Sequence, residues 1–126
     1  LWYSKEIIPA DFLCAERTLP DVCIGVDKNF APPRLVRAAV RSFREADLTA
    51  AINYPYSGCY VPESIMNGKA ACDFAGIMLE FQRNAYMNEK NERIRENVER
   101  IRNAIQNILH TVIGDGSLCT AKPLKR

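Results

Sequence analysis

Around position 80 the chain reads Gly76-Ile77-Met78-Leu79-Glu80-Phe81-Gln82-Arg83. A side-chain period of two sends Ile77, Leu79 and Phe81 to one face and Met78, Glu80 and Gln82 to the other. This predicts a short buried strand with one carboxylate among apolar neighbours. Val22-Cys23-Ile24-Gly25-Val26 is a continuous apolar run, which predicts a second strand, buried on both faces as in a parallel sheet, with a turn at Asp27-Lys28-Asn29. Pro32-Pro33 opens a helix, where a missing N–H is harmless, and Leu35, Val36, Ala39, Val40 and Phe43 form its apolar stripe. Asp47 ends this helix or begins the next connection. Leu48-Thr49-Ala50-Ala51-Ile52 reads as a third strand, and Asn53-Tyr54-Pro55-Tyr56-Ser57-Gly58-Cys59-Tyr60 as a turning segment after it. Residues 61–74 make a polar, irregular connection. From about Asn88 to Ile113, apolar residues recur every three or four positions (Ile94, Val98, Ile101, Ile105, Ile108, Leu109, Val112), which predicts one long amphipathic helix stopped at Gly114.

Strands alternating with amphipathic helices give an α/β fold class. The strands near Val22, Leu48 and Ile77 are expected to be adjacent and mostly parallel, with the two helices packed on them. Residues 1–20, broken by Pro9 and Pro20, are expected to run over the surface with Ile7, Ile8, Phe12 and Leu13 against the core. The basic tail from Lys122 to Arg126 is expected to fray.

With 126 residues the chain is expected to form a single domain, residues 1–126, large enough for a core. Its 17 Lys and Arg against 15 Asp and Glu leave a net charge of +2, too small to predict a nucleic-acid or membrane partner. No apolar run reaches the roughly 18 residues of a membrane span. The first residues lack both a methionine and a signal-peptide pattern, so the chain is expected to be cut from something longer. The five cysteines, Cys14, Cys23, Cys59, Cys72 and Cys119, are odd in number and form no C-x-x-C. Free thiols in a reducing cytoplasm are the expectation.

Glu80 is the candidate chemical group. Glutamate is depleted in strands and seldom buried without a partner, so it either pairs with an arginine and fixes packing or carries out chemistry. Arg34, Arg37, Arg41 and Arg44 share the outer side of the first helix, a solvated face or a place for phosphates. His110, the only histidine, reads as a helix-surface or capping residue rather than a ligand. Glu89 with Arg93 and Glu96 with Arg100 have the spacing of favourable helical ion pairs.

Three segments resemble the N-formylglutamate amidohydrolase family, whose fold and chemistry are akin to zinc carboxypeptidases. They are Pro20-Asp21-Val22-Cys23-Ile24-Gly25-Val26-Asp27, then Asn53-Tyr54-Pro55-Tyr56-Ser57-Gly58-Cys59-Tyr60-Val61-Pro62, then the run from Ile77 through Glu80 to Tyr86-Met87-Asn88-Glu89. The resemblance implies the C-terminal portion of a zinc-exopeptidase-like three-layer α/β/α domain, with a mostly parallel or mixed sheet and a long C-terminal helix. It implies that Glu80 is the general base for a zinc-bound water. It further implies that Asn53, Tyr56 and Gly58 belong to a substrate loop facing a small anionic N-acyl amino acid. Arg83 either supports a substrate carboxylate or makes a structural ion pair. The chain departs from the family pattern at Phe30, where a histidine-containing pattern is expected, and at Cys59, where a small residue is commoner. His110 matches no ligand position, and the family's ligands belong to the N-terminal half of its domain. The resemblance therefore implies zinc in the intact parent and no metal held by this chain alone.

The function expected from these residues is zinc-dependent amide hydrolysis of a small N-acyl amino acid. This chain supplies the general base and substrate loop and is expected to be inactive alone. The alternative is a non-catalytic module, a degenerate family member that binds or oligomerises. Too few strands for a complete sheet also predict self-association through an exposed sheet edge.

Overall fold

A computed structural model describes residues 18–69 and 74–114, and residues 2–3 by their backbone. Its elements are β1 (Trp2–Tyr3), β2 (Val22–Gly25), α1 (Pro33–Glu45), β3 (Ala50–Ile52), the single turn α2 (Glu63–Met66), β4 (Met78–Gln82) and α3 (Arg95–Ile113). A 3-10 turn, Arg83–Ala85, follows β4 directly. The sheet order is β1-β4-β2-β3.

The three expected strands are adjacent, but the sheet is mixed rather than mostly parallel. β2 and β3 are parallel, with Val22 opposite Ala50 and Ile24 opposite Ile52. β2 and β4 are antiparallel, with Val22 opposite Phe81, Cys23 opposite Glu80, Ile24 opposite Leu79 and Gly25 opposite Met78. A parallel return needs a crossover of a dozen or more residues, usually helical. The described part of the β3–β4 connection holds only the four-residue α2 and brings the chain to the Gly25 end of β2, so β4 runs back along it. β1, which the expected surface course of residues 1–20 did not include, pairs parallel to β4. Ile7, Ile8, Phe12 and Leu13 lie outside the described residues, as do Cys14, Cys72, Cys119 and the basic tail.

A polar clasp fixes the β2–β3 register. The Asp21 and Thr49 backbone N–H groups each donate to the other's side chain at 2.8 Å, and the Thr49 hydroxyl donates to Asp21 Oδ2 at 2.7 Å.

The alternation around Glu80 holds. Ile77, Leu79 and Phe81 pack on the cluster of Val22, Ile24, Ala39, Phe43, Leu48, Ala104, Ile108 and Val112. Burial of a side chain of this size stabilises by about 1.5–3 kcal/mol. Phe43 lies edge-on to Phe81, ring centroids 5.7 Å apart. α1 and α3 both join this cluster, so among the described residues the two long helices cover one face of the sheet. The Ser42 hydroxyl, buried at their crossing, donates to the Ala104 carbonyl at 2.8 Å.

α1 begins at Pro33, as expected, and its four arginines are exposed. It ends where Asp47 turns to φ 55° and the Leu48 N–H returns to the Phe43 carbonyl. Leu48 is consequently a buried core residue ahead of β3 rather than part of it.

α3 starts at Arg95, later than the periodicity predicts. Asn88 is the reason. Its side-chain oxygen accepts the N–H groups of Lys90 and Glu92, offering the backbone a turn in place of a helix. Asn91 sits at φ 62°, and Met87 bridges to Arg93. Glu89 and Arg93 are therefore not a helical pair. Arg100 donates to Asn97, while ion pairs join Arg41 to Glu45 and Arg102 to Glu99. Among the described residues no helix is long and apolar enough to cross a membrane.

Candidate functional site

The face of the sheet opposite the helices carries Cys23 on β2 and Glu80 on β4. Antiparallel register sets them directly across from each other. Cys23 is fully buried and Glu80 is 9% exposed. Burial pushes the Glu80 carboxyl above its ordinary value.

The 53–58 loop closes over this face from the end of β3. Asn53, at φ 54°, turns the chain, and its N–H donates to the Ile24 carbonyl at 3.0 Å. Its Oδ1 accepts the Val26 N–H at 2.7 Å and the Gly58 N–H at 3.2 Å. Asn53 thus ties both ends of the loop to the end of β2, and its side-chain oxygen is committed to the backbone. The Tyr54–Pro55 bond is cis. Gly58 has φ 80°, a conformation natural to glycine. The Gly58 carbonyl lies so close over Gly25 that a Cβ on Gly25 would overlap it, and would also stand 2.6 Å from Met78 Cε.

Tyr56 is the loop residue that reaches the sheet. It packs on Cys23, whose thiol donates to the Tyr56 carbonyl at 3.1 Å. Burial, then the Glu80 and Cys23 charges, raise the Tyr56 hydroxyl above its ordinary value. Burial likewise pushes the Cys23 thiol up, which keeps it protonated and a donor.

Glu80, Tyr56 and Gly58 are thereby gathered around β2. Arg83 is placed differently. β4 ends at Gln82, so alternation does not govern Arg83, which opens the 3-10 turn and is half-buried. The Gln82 N–H donates to Asp21, ahead of β2, whereas the Asn53 loop sits beyond its other end at Val26. Arg83 and Gly58 therefore lie towards opposite ends of β2, with Glu80 between them.

Sequence reasoning missed Cys23 and Gly25 as parts of this face. The usable signal was the parity of Cys23 between core-facing Val22 and Ile24, which puts it on the other side.

A groove of about 570 Å³ runs between α1 and α3, lined by Arg37, Arg41, Ser42, Asn107, His110 and Thr111 among others. It lies on the helical layer, across the sheet from Glu80. His110 is exposed there.

Among the described residues no three His, Cys, Asp or Glu side chains converge. A catalytic zinc takes about three such ligands. Glu80's neighbours are a thiol already donating to a carbonyl and a tyrosine, so the described residues do not by themselves fit a zinc ion.

A family model described as N-formylglutamate amidohydrolase matches residues 4–87. This span holds β2 through β4 and the whole loop over Glu80, and stops before α3. Among solved structures, the chain is similar to the crystal structure of N-formylglutamate amidohydrolase from Ralstonia eutropha JMP134, with 23% identity and a TM-score of 0.63. The likeness covers 86% of this chain and 40% of that one. No curated protein matches the chain.

Proposed function

Because the chain belongs to the N-formylglutamate amidohydrolase family, we propose that Glu80 is the general base of an amidohydrolase acting on a small, anionic N-acyl amino acid. The observation that carries this reading is the buried carboxylate facing away from the core, with the Tyr56 loop closed over it and its proton affinity raised. A carboxylate in this state is a stronger base than one in water, and so better matched to proton transfer near neutral pH.

In the proposed reaction Glu80 takes a proton from water as the water oxygen attacks the acyl carbon. The carbon–nitrogen bond then breaks, and the proton passes to the departing amine. The products are a carboxylic acid and a free amino acid. Tyr56 and the Gly58 backbone bound the acyl end of the substrate, and Asn53 acts by holding that loop. Arg83, towards the other end of β2, is the group offered to a substrate carboxylate. Zinc belongs to this reading only through ligands outside the described residues, and the sheet then forms one portion of a zinc-exopeptidase-like three-layer domain. Residues 1–126 would be a single partial domain of that enzyme. A reducing, cytoplasmic setting belongs to the same reading, with Cys23 and Cys59 as free thiols. β3, one edge strand of the sheet, carries Ile52 at 49% exposure and is the edge through which a second copy would add.

The test is turnover of N-formylglutamate and related N-acyl amino acids by the full-length protein and its Glu80→Gln variant. Loss of a general base costs about 10²–10⁴-fold in rate. A folded Glu80→Gln protein turning over at the wild-type rate would end the assignment. A wild-type protein that binds these compounds without cleaving them would favour the non-catalytic reading.

A further inference from the structure

We propose that Cys23 is a positioning residue for the Glu80–Tyr56 pair, its thiol holding the Tyr56 backbone over the carboxylate while its bulk keeps water from beneath. The inference rests on the reading of Glu80 as base and adds to it a residue that touches neither substrate nor water.

Three observations converge on this side chain. The β2–β4 register puts Cys23 directly opposite Glu80, the closest cross-strand relationship a sheet offers. Its sulfur is 3.1 Å from the Tyr56 carbonyl, so one side chain touches both the strand of the base and the loop. It is fully buried, packed against Leu19 and Tyr56, and fills the space between loop and sheet. Asn53 fixes where the loop enters and leaves: its N–H donates to the Ile24 carbonyl and its side chain accepts from Val26 and Gly58. Cys23 holds its middle. Among the described residues, the titratable groups facing one another here are Glu80 from β4, Cys23 from β2 and Tyr56 from the loop.

The geometry separates two contributions, and substitution can remove them one at a time. Cys23→Ser keeps a donor of nearly the same size. Cys23→Val keeps the volume and loses the donor. Cys23→Ala loses both. The experiment uses the full-length protein and two readouts, kcat/KM across pH with an N-acyl amino acid and the titration midpoint of the Glu80 carboxyl carbon by NMR.

Cys23→Ala is expected to lower kcat/KM about fivefold to tenfold, the scale of one lost neutral hydrogen bond. It should also lower the Glu80 midpoint by roughly half a pH unit or more as water enters. The acid limb of the rate profile should move down with it. Cys23→Val should lose rate while keeping the midpoint, and Cys23→Ser should restore both. If Cys23→Ala, or Cys23→Val where the alanine protein does not fold, has wild-type kcat/KM, Cys23 is packing alone and the proposal is overturned. It is equally overturned if Cys23→Ser behaves like Cys23→Ala. Should Glu80→Gln retain full activity, the assignment of Glu80 as base fails by itself, and the NMR midpoints of the alanine and serine variants still decide whether Cys23 sets the environment of Glu80.

Discussion

Cys23 and Glu80 face each other across the antiparallel β2–β4 ladder, one fully buried and the other nearly so, on the side of the sheet away from α1 and α3. A thiol is a poor substitute for water around a carboxylate. The pairing is thus a source of instability held in place by the core on the other face, and its effects can be measured.

Stability should rise, not fall, when Glu80 loses its charge. Burial raises the Glu80 carboxyl above its value in the unfolded chain, so the folded state binds the proton more tightly. The native state is therefore favoured at low pH, and this contribution is lost as pH rises from the unfolded value of about 4.3 through the higher folded one. Glu80→Gln should melt above wild type at pH 7, with the gain vanishing near pH 4. Thermal melts at both values check it, and a glutamine protein that melts lower at pH 7 would contradict the sign.

Gly25→Ala should be costly despite its small size. The new methyl would overlap the Gly58 carbonyl and press on Met78, and backbone cannot yield as a side-chain tip can. Overpacking of this kind costs about 1–3 kcal/mol. The urea midpoint should fall accordingly, and KM should rise more than kcat falls because the loop is displaced. An unchanged midpoint would show that the loop does not rest on β2.

Asn53 distinguishes holding the loop from touching the substrate. Asn53→Asp keeps the oxygen that accepts the Val26 and Gly58 N–H groups, so it should fold normally. Asn53→Ala leaves both donors without that partner and places alanine at φ 54°, for a loss of about 1–3 kcal/mol from the hydrogen bonds alone. Equal denaturation midpoints for the two variants would remove this role.

Phe43→Ala should be among the most damaging core changes. Phe43 is fully buried and edge-on to Phe81, whose strand neighbour is Glu80. Truncation of a buried phenylalanine costs about 3–5 kcal/mol. Loss of the cooperative unfolding transition, or a comparably large fall in its midpoint, is the expected result. A shift under about 1 kcal/mol would mean the helix layer repacks freely.

What could be read from the chain alone was what is local. The parity of Ile77, Leu79 and Phe81 against Glu80 depends only on neighbouring positions, and so do the Pro33 helix start and the exposed arginines of α1. The direction of β4 was not legible, because it depends on where residues 61–77 carry the chain. Nor was the partnership of Cys23 with Glu80, which is decided by register between strands distant in sequence. The start of α3 was misjudged for another local reason. Asn88 accepts backbone hydrogen bonds with its side chain, and a hydrophobic period does not register that.

The hydrogen bond from Ser42 to Ala104 spans 62 positions. On the ribosome, the strands and α1 emerge well before α3 does. Until then Ala39, Ser42 and Phe43 have no helix beside them, and the nascent chain presents that surface to chaperones and to other nascent copies. A translation product truncated ahead of Arg95 would keep Glu80 and its loop in sequence yet lack Ala104, Ile108 and Val112, and it is the product that quality control should remove first.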